Sequence, residues 1–368
     1  MKRVLYIGGF ELPDKNAAAQ RVMANAKLLR EIGFEVSFIG ISKDINNAPE
    51  IVDGFQSEPI PYPSSIKQWI RQICIFIDTK VILSHKPDYV ILYNFPSIAS
   101  LRILRTCHQN GIKVIEDITE WEAATSFSLR EIIHWFDINL RMRFAVKEMD
   151  GVIAISRLLH DYYHKYTSTI MVPPTVDISL EKWNRNRKLT VNSPRKLIYA
   201  GSIGMGNKDR LDKIIDVVQK YKSLELDIIG LDEQQYLSAF GQESPLSNNV
   251  HFFGRVSHVN AVTAVQKADF QLLIRDSTLK NNAGFPTKFV ESMTCCTPLI
   301  ATSISNITDY LQNGINGFLV DENQTLNTVL GQIIEMRDEE IIEMKTKCKD
   351  LVCFDFRNYK SDFERLFC

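Results

Sequence analysis

The stretch NNAGFPTKFVESM, which begins at Asn281, combines residue types that suit an anionic ligand. Pro286 is favoured in the first turn of a helix, where its missing amide proton is not needed. The first amides of a helix lack intrahelical partners and carry partial positive charge. Thr287 and Lys288 add a hydroxyl and a cation there, which suits a phosphate or pyrophosphate. Glu291 lies one turn further, where it could accept hydrogen bonds from both ribose hydroxyls; a capped surface helix is the alternative.

A second glycine-rich stretch, AGSIGMGNKDR, follows an apolar strand and precedes the helical pattern LDKIIDVVQKY. Gly201, Gly204 and Gly206 could bring backbone amides to a phosphate, with Lys208 or Arg210 as the cation. The glycine spacing is neither that of the dinucleotide fingerprint nor that of the phosphate loop of nucleotide hydrolases. A flexible turn between strand and helix is the alternative.

Carboxylates follow another strand, in VIEDITEWE. In a cleft they could bind sugar hydroxyls or supply a general base, and a solvated loop is the alternative. They are Glu116, Asp117, Glu120 and Glu122.

Arg275 and Lys280 flank the loop after FQLLI and could clamp a phosphate, although ordinary surface charge would explain them equally. The seven histidines are dispersed, with no HExxH motif or cysteine–histidine cluster, and we expect no metal site. No GxSxG motif indicates a serine hydrolase.

Short apolar runs such as RVLYIGG and YVILYN alternate with helical patterns, and RKLIYAGSIG repeats the pattern of the N-terminal KRVLYIGGF. Apolar strands separated by helices predict parallel sheets covered on both faces. The expected fold class is therefore α/β, with two doubly wound, Rossmann-like domains facing across a cleft. We expect domains at 1–175 and 195–354, a linker at 176–194, and a helix at 355–368 that closes the second domain or packs back on the first.

The composition is that of a globular protein: 45% of the 368 residues are hydrophobic and the net charge is −1, which gives no reason to expect a nucleic-acid partner. Seven cysteines without paired spacing favour a reducing compartment. The N-terminal apolar run is too short for a signal peptide, and no run approaches a membrane span. We expect a cytoplasmic protein, or one at the inner face of the cytoplasmic membrane.

Two segments have the pattern of basic amphipathic helices. Residues 64–86 carry four cations against one carboxylate, and residues 129–147 carry four against two. Apolar and aromatic residues, Trp69 and Trp135 among them, recur at helical spacing in both. Such helices can lie on anionic bilayers, and packing on a sheet is the alternative.

Taken together, these motifs resemble the retaining GT-B glycosyltransferases, a family that includes glycogen and sucrose synthases and bacterial surface-polysaccharide enzymes. The resemblance covers nearly the whole chain, through GGF…NAAAQRVMANAKLLREIGFEV, GVIAISRLLHDYY, VPPTVD, LIYAGSIG, VHFFGRV and ADFQLLI. The most specific match is GFPTKFVESMTCCTPLIATSISNITDYLQNGINGFLV.

The resemblance implies that the second domain binds a UDP- or GDP-sugar. Glu291 matches the family glutamate that binds the ribose. The residues implied beside the diphosphate and donor sugar are Gly284, Phe285, Pro286, Thr287, Lys288, Ser202, Lys208, Arg210, Arg275 and Asn282. Those beside the base are Gly254, Arg255 and Val256, and those of the acceptor-side loop are Gly8, Gly9, Asn16 and Arg21. Glu116 and Asp117 fall where many members carry a catalytic His-Asp pair.

Three positions depart from the family pattern. The first of two family glutamates would fall at Ala283, so that its sugar contact is lost or moved to Asn281 or Asn282. Ser202 stands where the family usually has an arginine after the second-domain glycine. Glu116 stands where the family usually has a histidine.

The implied function is metal-independent transfer of a sugar, with retention, to a saccharide or lipid-linked saccharide acceptor in bacterial surface-polysaccharide assembly (capsule, O-antigen or exopolysaccharide). A GT-B sugar-nucleotide epimerase would share the donor site but consume no acceptor. A non-enzymatic two-lobed ligand-binding protein is the third alternative, and such proteins are usually exported.

Overall fold

A computed structural model describes residues 1–13, 15–43, 50–121, 129–201, 208–241 and 246–367, with the side chains of 129 and 130 left out. The chain divides into two compact units. Unit 1 contains Met1–Val176, Ala283–Phe285 and Asp355–Cys368, and unit 2 contains Asp177–Asn282 and Pro286–Phe354. No helix of the described residues is both long enough and apolar enough to span a bilayer.

Unit 1 is built on an eight-stranded sheet in the order β3-β4-β2-β1-β5-β6-β7-β8. All neighbouring strands are parallel except β3 and β4, which form an antiparallel hairpin. The strands are β1 (Arg3–Gly8), β2 (Glu35–Ser42), β3 (Glu50–Val52), β4 (Phe55–Pro61), β5 (Tyr89–Tyr93), β6 (Lys113–Ile118), β7 (Gly151–Ala154) and β8 (Thr169–Met171). The helices are α1 (Ala17–Glu31), α2 (Ile66–Cys74), α3 (Thr79–Ser84), α4 (Ser97–Gln109), α5 (Leu129–Arg143) and α6 (Arg157–Tyr163).

Unit 2 is built on a six-stranded parallel sheet in the order β11-β10-β9-β12-β13-β14. Its strands are β9 (Arg195–Ala200), β10 (Leu224–Ile229), β11 (Val250–Phe252), β12 (Phe270–Leu273), β13 (Leu299–Thr302) and β14 (Gly317–Val320). The helices after residue 200 are α7 (Leu211–Val218), α8 (Glu233–Phe240), α9 (His258–Lys267), α10 (Leu279–Ala283), α11 (Thr287–Thr294), α12 (Leu326–Glu335), α13 (Asp338–Asp350) and α14 (Lys360–Phe367); the last of these belongs to unit 1.

The predicted fold class is confirmed, because both units contain a largely parallel sheet whose central strands are buried. The β3–β4 hairpin was not expected from the sequence, since Pro59 and Pro61 argue against a strand. Both prolines lie beyond the three residues of β4 that pair with β3. Asp53 and Gly54 join the strands with positive φ angles of 49° and 80°, as the tight turn of a two-residue hairpin requires.

Of the segment 176–194, predicted as a linker, residues 177–194 belong to unit 2. Trp183 is buried, Arg185 donates to the carbonyls of Thr294 and Lys349, and Asn192 donates to the carboxylate of Asp269. The C-terminal helix α14 contributes Phe363, Leu366 and Phe367 to the core of unit 1.

Candidate functional site

The carboxyl ends of β9 and β12 carry a cluster of charged groups in unit 2. Lys288, in the first turn of α11, and Arg275, just after β12, both form salt bridges with Asp209. The hydroxyl of Tyr199 donates to the same carboxylate at 2.7 Å and accepts from Lys288 Nζ at 2.7 Å. A Cβ on Gly201 would lie 2.5 Å from Lys288 Cε, so this approach of the lysine requires glycine. These five residues are called the Asp209 cluster below.

The Asp209 cluster contains one carboxylate between two cations. Burial would raise the pKa of Asp209, but Lys288 and Arg275 outweigh it and lower that pKa to about 2. Burial, together with the neighbouring Arg275, lowers the pKa of Lys288 to about 8 against the attraction of Asp209. The cations keep about a tenth of their side-chain surface exposed, whereas Asp209 keeps 1%. The cluster therefore carries more positive than negative charge, which favours an additional anion.

Glu291 lies one turn along α11 from Lys288, on the same face of the helix. Its Oε1 lies 3.0 Å from Nε2 of His258, the first residue of α9. The loop 254–256 immediately precedes the N-cap of that helix, Ser257. Gly254 and Val256 are half-buried there, and Arg255 is exposed. The structure thus brings the predicted ribose-binding residue close to the predicted base loop.

The segment before α11 is buried, and its helix begins at Thr287 with Pro286 as the N-cap. Gly284 and Phe285 are buried just before it. The side chain of Asn282 accepts from the amide of Ser305 at 2.9 Å and donates to Ser277 Oγ at 3.0 Å. Ala283 is fully buried, and its carbonyl accepts from Ser156 Oγ at 2.6 Å within unit 1.

Of the remaining predicted phosphate-binding residues, Arg210 pairs with carboxylates other than Asp209. Its guanidinium forms salt bridges with Asp212 at 2.6 Å and Asp276 at 2.8 Å, and these hydrogen bonds raise its pKa. Lys208 is half-buried beside Asp209 in the sequence. Ser202, Gly204 and Gly206 lie outside the described residues, as does Glu122.

In unit 1, the predicted catalytic carboxylate Glu116 is fully buried in β6. Its Oε1 accepts from the amide of Phe95 at 2.9 Å, and Oε2 has no hydrogen-bond partner among the residues that the structure describes. Burial raises the pKa of Glu116 to about 8, although the nearby Arg141 acts to lower it. The guanidinium of Arg141 donates instead to the carbonyl of Asn94 at 2.7 Å.

Asp117, the second predicted catalytic carboxylate, is fully buried at the centre of a hydrogen-bonded group. Arg21 forms a salt bridge to it at 2.7 Å, Tyr6 donates its hydroxyl, and Asn25 donates at 3.2 Å. The same arginine donates to the carbonyl of Val172 at 2.8 Å. We call Asp117, Arg21, Tyr6 and Asn25 the Asp117 cluster. Both carboxylates therefore have internal partners and no exposed surface in this structure.

The predicted acceptor-side loop follows β1 in unit 1. A Cβ on Gly8 would lie 2.6 Å from Tyr93 Cβ, so glycine is needed where these strands meet. Gly9 is exposed, and Asn16 is the N-cap of α1, with its side chain accepting from the amide of Ala19 at 2.8 Å. Arg21 is buried in the Asp117 cluster rather than open to a ligand.

One group among the described residues could hold a metal ion, on the surface of α6. His160 Nδ1 lies 2.9 Å from the Asp161 carboxylate, and His164 Nδ1 lies 3.2 Å from the carbonyl of His160. Both contacts favour hydrogen on Nδ1, which leaves the Nε2 atoms available as ligands. The HDYYH sequence places His160 and His164 four residues apart, which corrects the expectation that the histidines are dispersed. None of the expected donor-binding residues belongs to this group.

Sequence reasoning also missed Asp209, Tyr199 and His258. Asp209 looked like one charge in the polar run NKDR, and Tyr199 looked like another apolar strand residue. His258 lies two residues after the predicted base loop, which is a usable signal, but its partner Glu291 lies 33 residues away.

Comparisons with known proteins agree with the fold. Residues 182–350 match the family model of glycosyl transferases group 1. The sucrose-phosphate synthase of Thermosynechococcus elongatus has a similar structure, with a TM-score of 0.76 and 12% identity over 100% of this chain and 98% of that one. HepE from Anabaena, solved with UDP and glucose, gives a TM-score of 0.66 and 15% identity over 99% of each chain.

A curated relative, the N-acetyl-alpha-D-glucosaminyl L-malate synthase of Bacillus anthracis, is 24% identical over 254 residues. The match covers 62% of this chain and 62% of that relative's length.

Proposed function

Because residues 182–350 match the family model of glycosyl transferases group 1 and the chain has the GT-B fold, we propose that this protein is a retaining glycosyltransferase. Its donor is a nucleotide-diphosphate sugar, UDP- or GDP-linked, and its acceptor is a saccharide or a lipid-linked saccharide. The observation that carries the proposal is the Asp209 cluster, where two cations face one carboxylate at the carboxyl ends of β9 and β12. Ligands of doubly wound sheets bind at such strand ends.

The chemical problem of glycosyl transfer is the charge on the leaving group. When the anomeric bond breaks, negative charge grows on the diphosphate while the sugar gains oxocarbenium character. Lys288 and Arg275 are held by Asp209 before any ligand arrives, so little reorganisation is needed when that charge develops. In this proposal the two cations supply the neutralising charge, and the departing phosphate helps to deprotonate the acceptor on the same face of the sugar.

The ribose would be bound by Glu291, on the same face of α11 as Lys288 and one turn further along. Its Oε2 makes no hydrogen bond within the part of the chain that the structure describes, and so remains open to a hydroxyl. Phosphate and ribose are neighbours in a nucleotide, as Lys288 and Glu291 are on this helix. The spacing therefore supports one nucleotide-binding face.

Thermal unfolding with UDP, GDP, ADP and CMP tests the donor site. A nucleotide that binds only the folded protein raises its stability by mass action. We expect one nucleoside diphosphate to raise the unfolding temperature, and we expect Lys288→Met and Glu291→Ala to reduce the rise. Lys267→Met, which removes an exposed lysine of the same unit, should preserve it. If no nucleotide changes the unfolding temperature of the wild type, the proposed donor site is wrong.

For the acceptor side, we propose contact with the inner face of the cytoplasmic membrane, where lipid-linked saccharides for surface polysaccharides would be met. Helix α2 has no buried residue, and Ile66 and Ile70 are exposed on it. Helix α5 exposes Trp135 and Phe136, whose rings form an edge-to-face pair at 5.0 Å. Both helices pack beside α4, and Lys67, Arg71 and Arg143 add positive charge to the two helices.

Sedimentation with phosphatidylglycerol vesicles at low salt tests this contact, with phosphatidylcholine vesicles as the uncharged comparison. We expect binding to the anionic vesicles that weakens with salt and is lost in the Trp135→Ser/Phe136→Ser double variant. Ile342→Ser, which removes an exposed apolar residue of α13, should bind like the wild type. Equal sedimentation with and without vesicles would exclude the membrane contact and leave the donor site unaffected.

A further inference from the structure

His258 lies between a carboxylate and an ammonium group at the edge of the proposed donor site. Its Nε2 is 3.0 Å from Oε1 of Glu291, and its Nδ1 is 3.5 Å from Nζ of Lys182. The ring also meets the buried Trp183 edge to face, with 6.3 Å between ring centroids. Three residues from separate parts of unit 2 therefore form a chain of polar contacts that ends at Glu291.

The chemistry of the two neighbours fixes where the imidazole hydrogen lies. The ammonium of Lys182 can only donate, so Nδ1 must be the acceptor. The ionised carboxylate of Glu291 can only accept, so Nε2 must carry the hydrogen. The neutral imidazole with hydrogen on Nε2 satisfies both neighbours at once.

The Lys182 end of this row of polar contacts is itself held in place. Gln266 of α9 donates to the carbonyls of Lys182 and Trp183 at 2.9 and 2.7 Å, which ties their turn to the helix that begins with His258. Lys182 Nζ also lies over the ring of Trp183, 5.1 Å from its centroid. The histidine therefore sits in a fixed frame, while about a fifth of its side chain and of Glu291 remains exposed.

We propose that His258 is a positioning residue for the nucleotide, holding the carboxylate of Glu291 in the orientation that receives the ribose hydroxyls. The inference rests on the proposed function, since it takes Glu291 as the ribose-binding residue. One lone pair of Oε1 is used by His258, which leaves Oε2 and the second lone pair of Oε1 for the two hydroxyls of the ribose. Without the histidine, the carboxylate would lose its fixed direction but remain present.

The test compares dissociation constants for UDP, GDP and ADP with those of their 2′-deoxy counterparts, measured by calorimetric titration. In the wild type, we expect the nucleotide that binds to be preferred over its deoxy form by about tenfold, the worth of one charge-assisted hydrogen bond. Glu291→Ala should reduce the ratio to about one, and His258→Ala should reduce it by at least about threefold. His258→Gln, whose amide can donate from a similar position, should restore it.

Three further variants keep the test decisive. The double variant His258→Ala/Glu291→Ala should bind like Glu291→Ala alone, because the histidine acts only through the glutamate. If His258→Ala does not fold, Lys182→Met serves in its place, and we expect it to lower the ratio by about twofold because Nδ1 loses its donor. Lys267→Met, on the same helix as His258, should keep the wild-type ratio.

The two ways of failing are distinct. If His258→Ala keeps the wild-type ratio while Glu291→Ala loses it, His258 is only a structural residue and the donor site stands. If Glu291→Ala keeps the ratio, the ribose assignment and this inference both fail.

Discussion

The Asp117 cluster of unit 1 and the Asp209 cluster of unit 2 are built from similar parts but differ in charge. Each has a buried aspartate that accepts from a tyrosine hydroxyl of a central strand, Tyr6 or Tyr199. Asp117 faces one arginine and an amide, and the arginine keeps 3% of its side chain exposed. Asp209 faces two cations, which keep 10% and 12% exposed.

The difference separates a structural cluster from a binding cluster. One carboxylate and one cation form a neutral buried pair with nothing left to bind. One carboxylate and two cations leave positive charge at a surface that still reaches solvent. Glu116 is the third case in this comparison of carboxylates by the number of cations that they face. Among the described residues it accepts a hydrogen bond from the Phe95 amide and from no cation.

The largest expected effect comes from breaking the neutral pair. Arg21→Met leaves Asp117 buried without its cation, and removing one partner of a buried pair costs about 3–5 kcal/mol. Lys288→Met leaves Asp209 paired with Arg275 and Tyr199, so we expect less than about 1 kcal/mol. Urea unfolding of both variants and the wild type measures the difference. Equal losses would mean that the two clusters do not differ in the way proposed.

The next effect is the pH dependence of nucleotide binding. Lys288 has a pKa of about 8 in the free protein, and a bound diphosphate would raise that pKa. Above pH 8, where the lysine of the free protein is mainly neutral, nucleotide binding therefore takes up a proton. Affinity for the nucleoside diphosphate should be constant from pH 7 to 8 and fall by about tenfold per unit above pH 8. Lys288→Arg should bind with constant affinity from pH 7 to 10, since arginine stays charged there.

Calorimetric titration of both proteins over this range measures the profiles. A wild-type affinity that stays constant to pH 10 would contradict the lowered pKa of Lys288. A parallel fall in the arginine variant would assign the pH dependence to another group.

The last prediction concerns the titration of Glu116. Its pKa is about 8 in the folded protein, above the value of 4.5 for an unperturbed glutamate, so the carboxyl is mainly protonated at pH 7. The stability that the wild type owes to this group is complete below pH 4.5 and is lost as pH rises through 8. Glu116→Gln should match the wild type near pH 4.5 and exceed it at pH 9 by on the order of 5 kcal/mol, which is about 1.4 kcal/mol for each unit between the two pKa values.

Denaturant unfolding at both pH values checks this difference. An equal advantage of the glutamine variant at pH 4.5 and pH 9 would mean that Glu116 does not titrate in this range.

The sequence was sufficient for features that depend on local pattern. Alternating apolar strands and helices predicted two doubly wound units, and GFPTKFVESM predicted a helix start that carries Lys288 and Glu291 together. The hairpin at residues 50–61 was not predicted because its prolines argue against a strand, although the Asp53–Gly54 pair is a turn signal in the sequence. Segment 176–194 looked like a linker because it is polar, yet residues 177–194 belong to unit 2, where Arg185 and Asn192 donate hydrogen bonds.

Contacts between residues that are far apart in the sequence could not be predicted from it. Asp209 meets Arg275 and Lys288 across 66 and 79 residues, and no spacing rule connects them. Glu116 and Asp117 look like an accessible pair at a strand end, but neighbouring strand residues point to opposite faces, and both faces of β6 are covered. Burial therefore gave these carboxylates internal partners that the sequence alone did not show.

The most direct test of the account is the affinity gained from the second phosphate. Nucleoside, monophosphate and diphosphate of the uridine and guanosine series are titrated into the wild type, Lys288→Met and Glu291→Ala. If the Asp209 cluster binds the diphosphate, one series should gain at least about tenfold from monophosphate to diphosphate in the wild type and about twofold in Lys288→Met. Glu291→Ala should weaken all members of that series equally. The same gain in the wild type and in Lys288→Met would contradict the account.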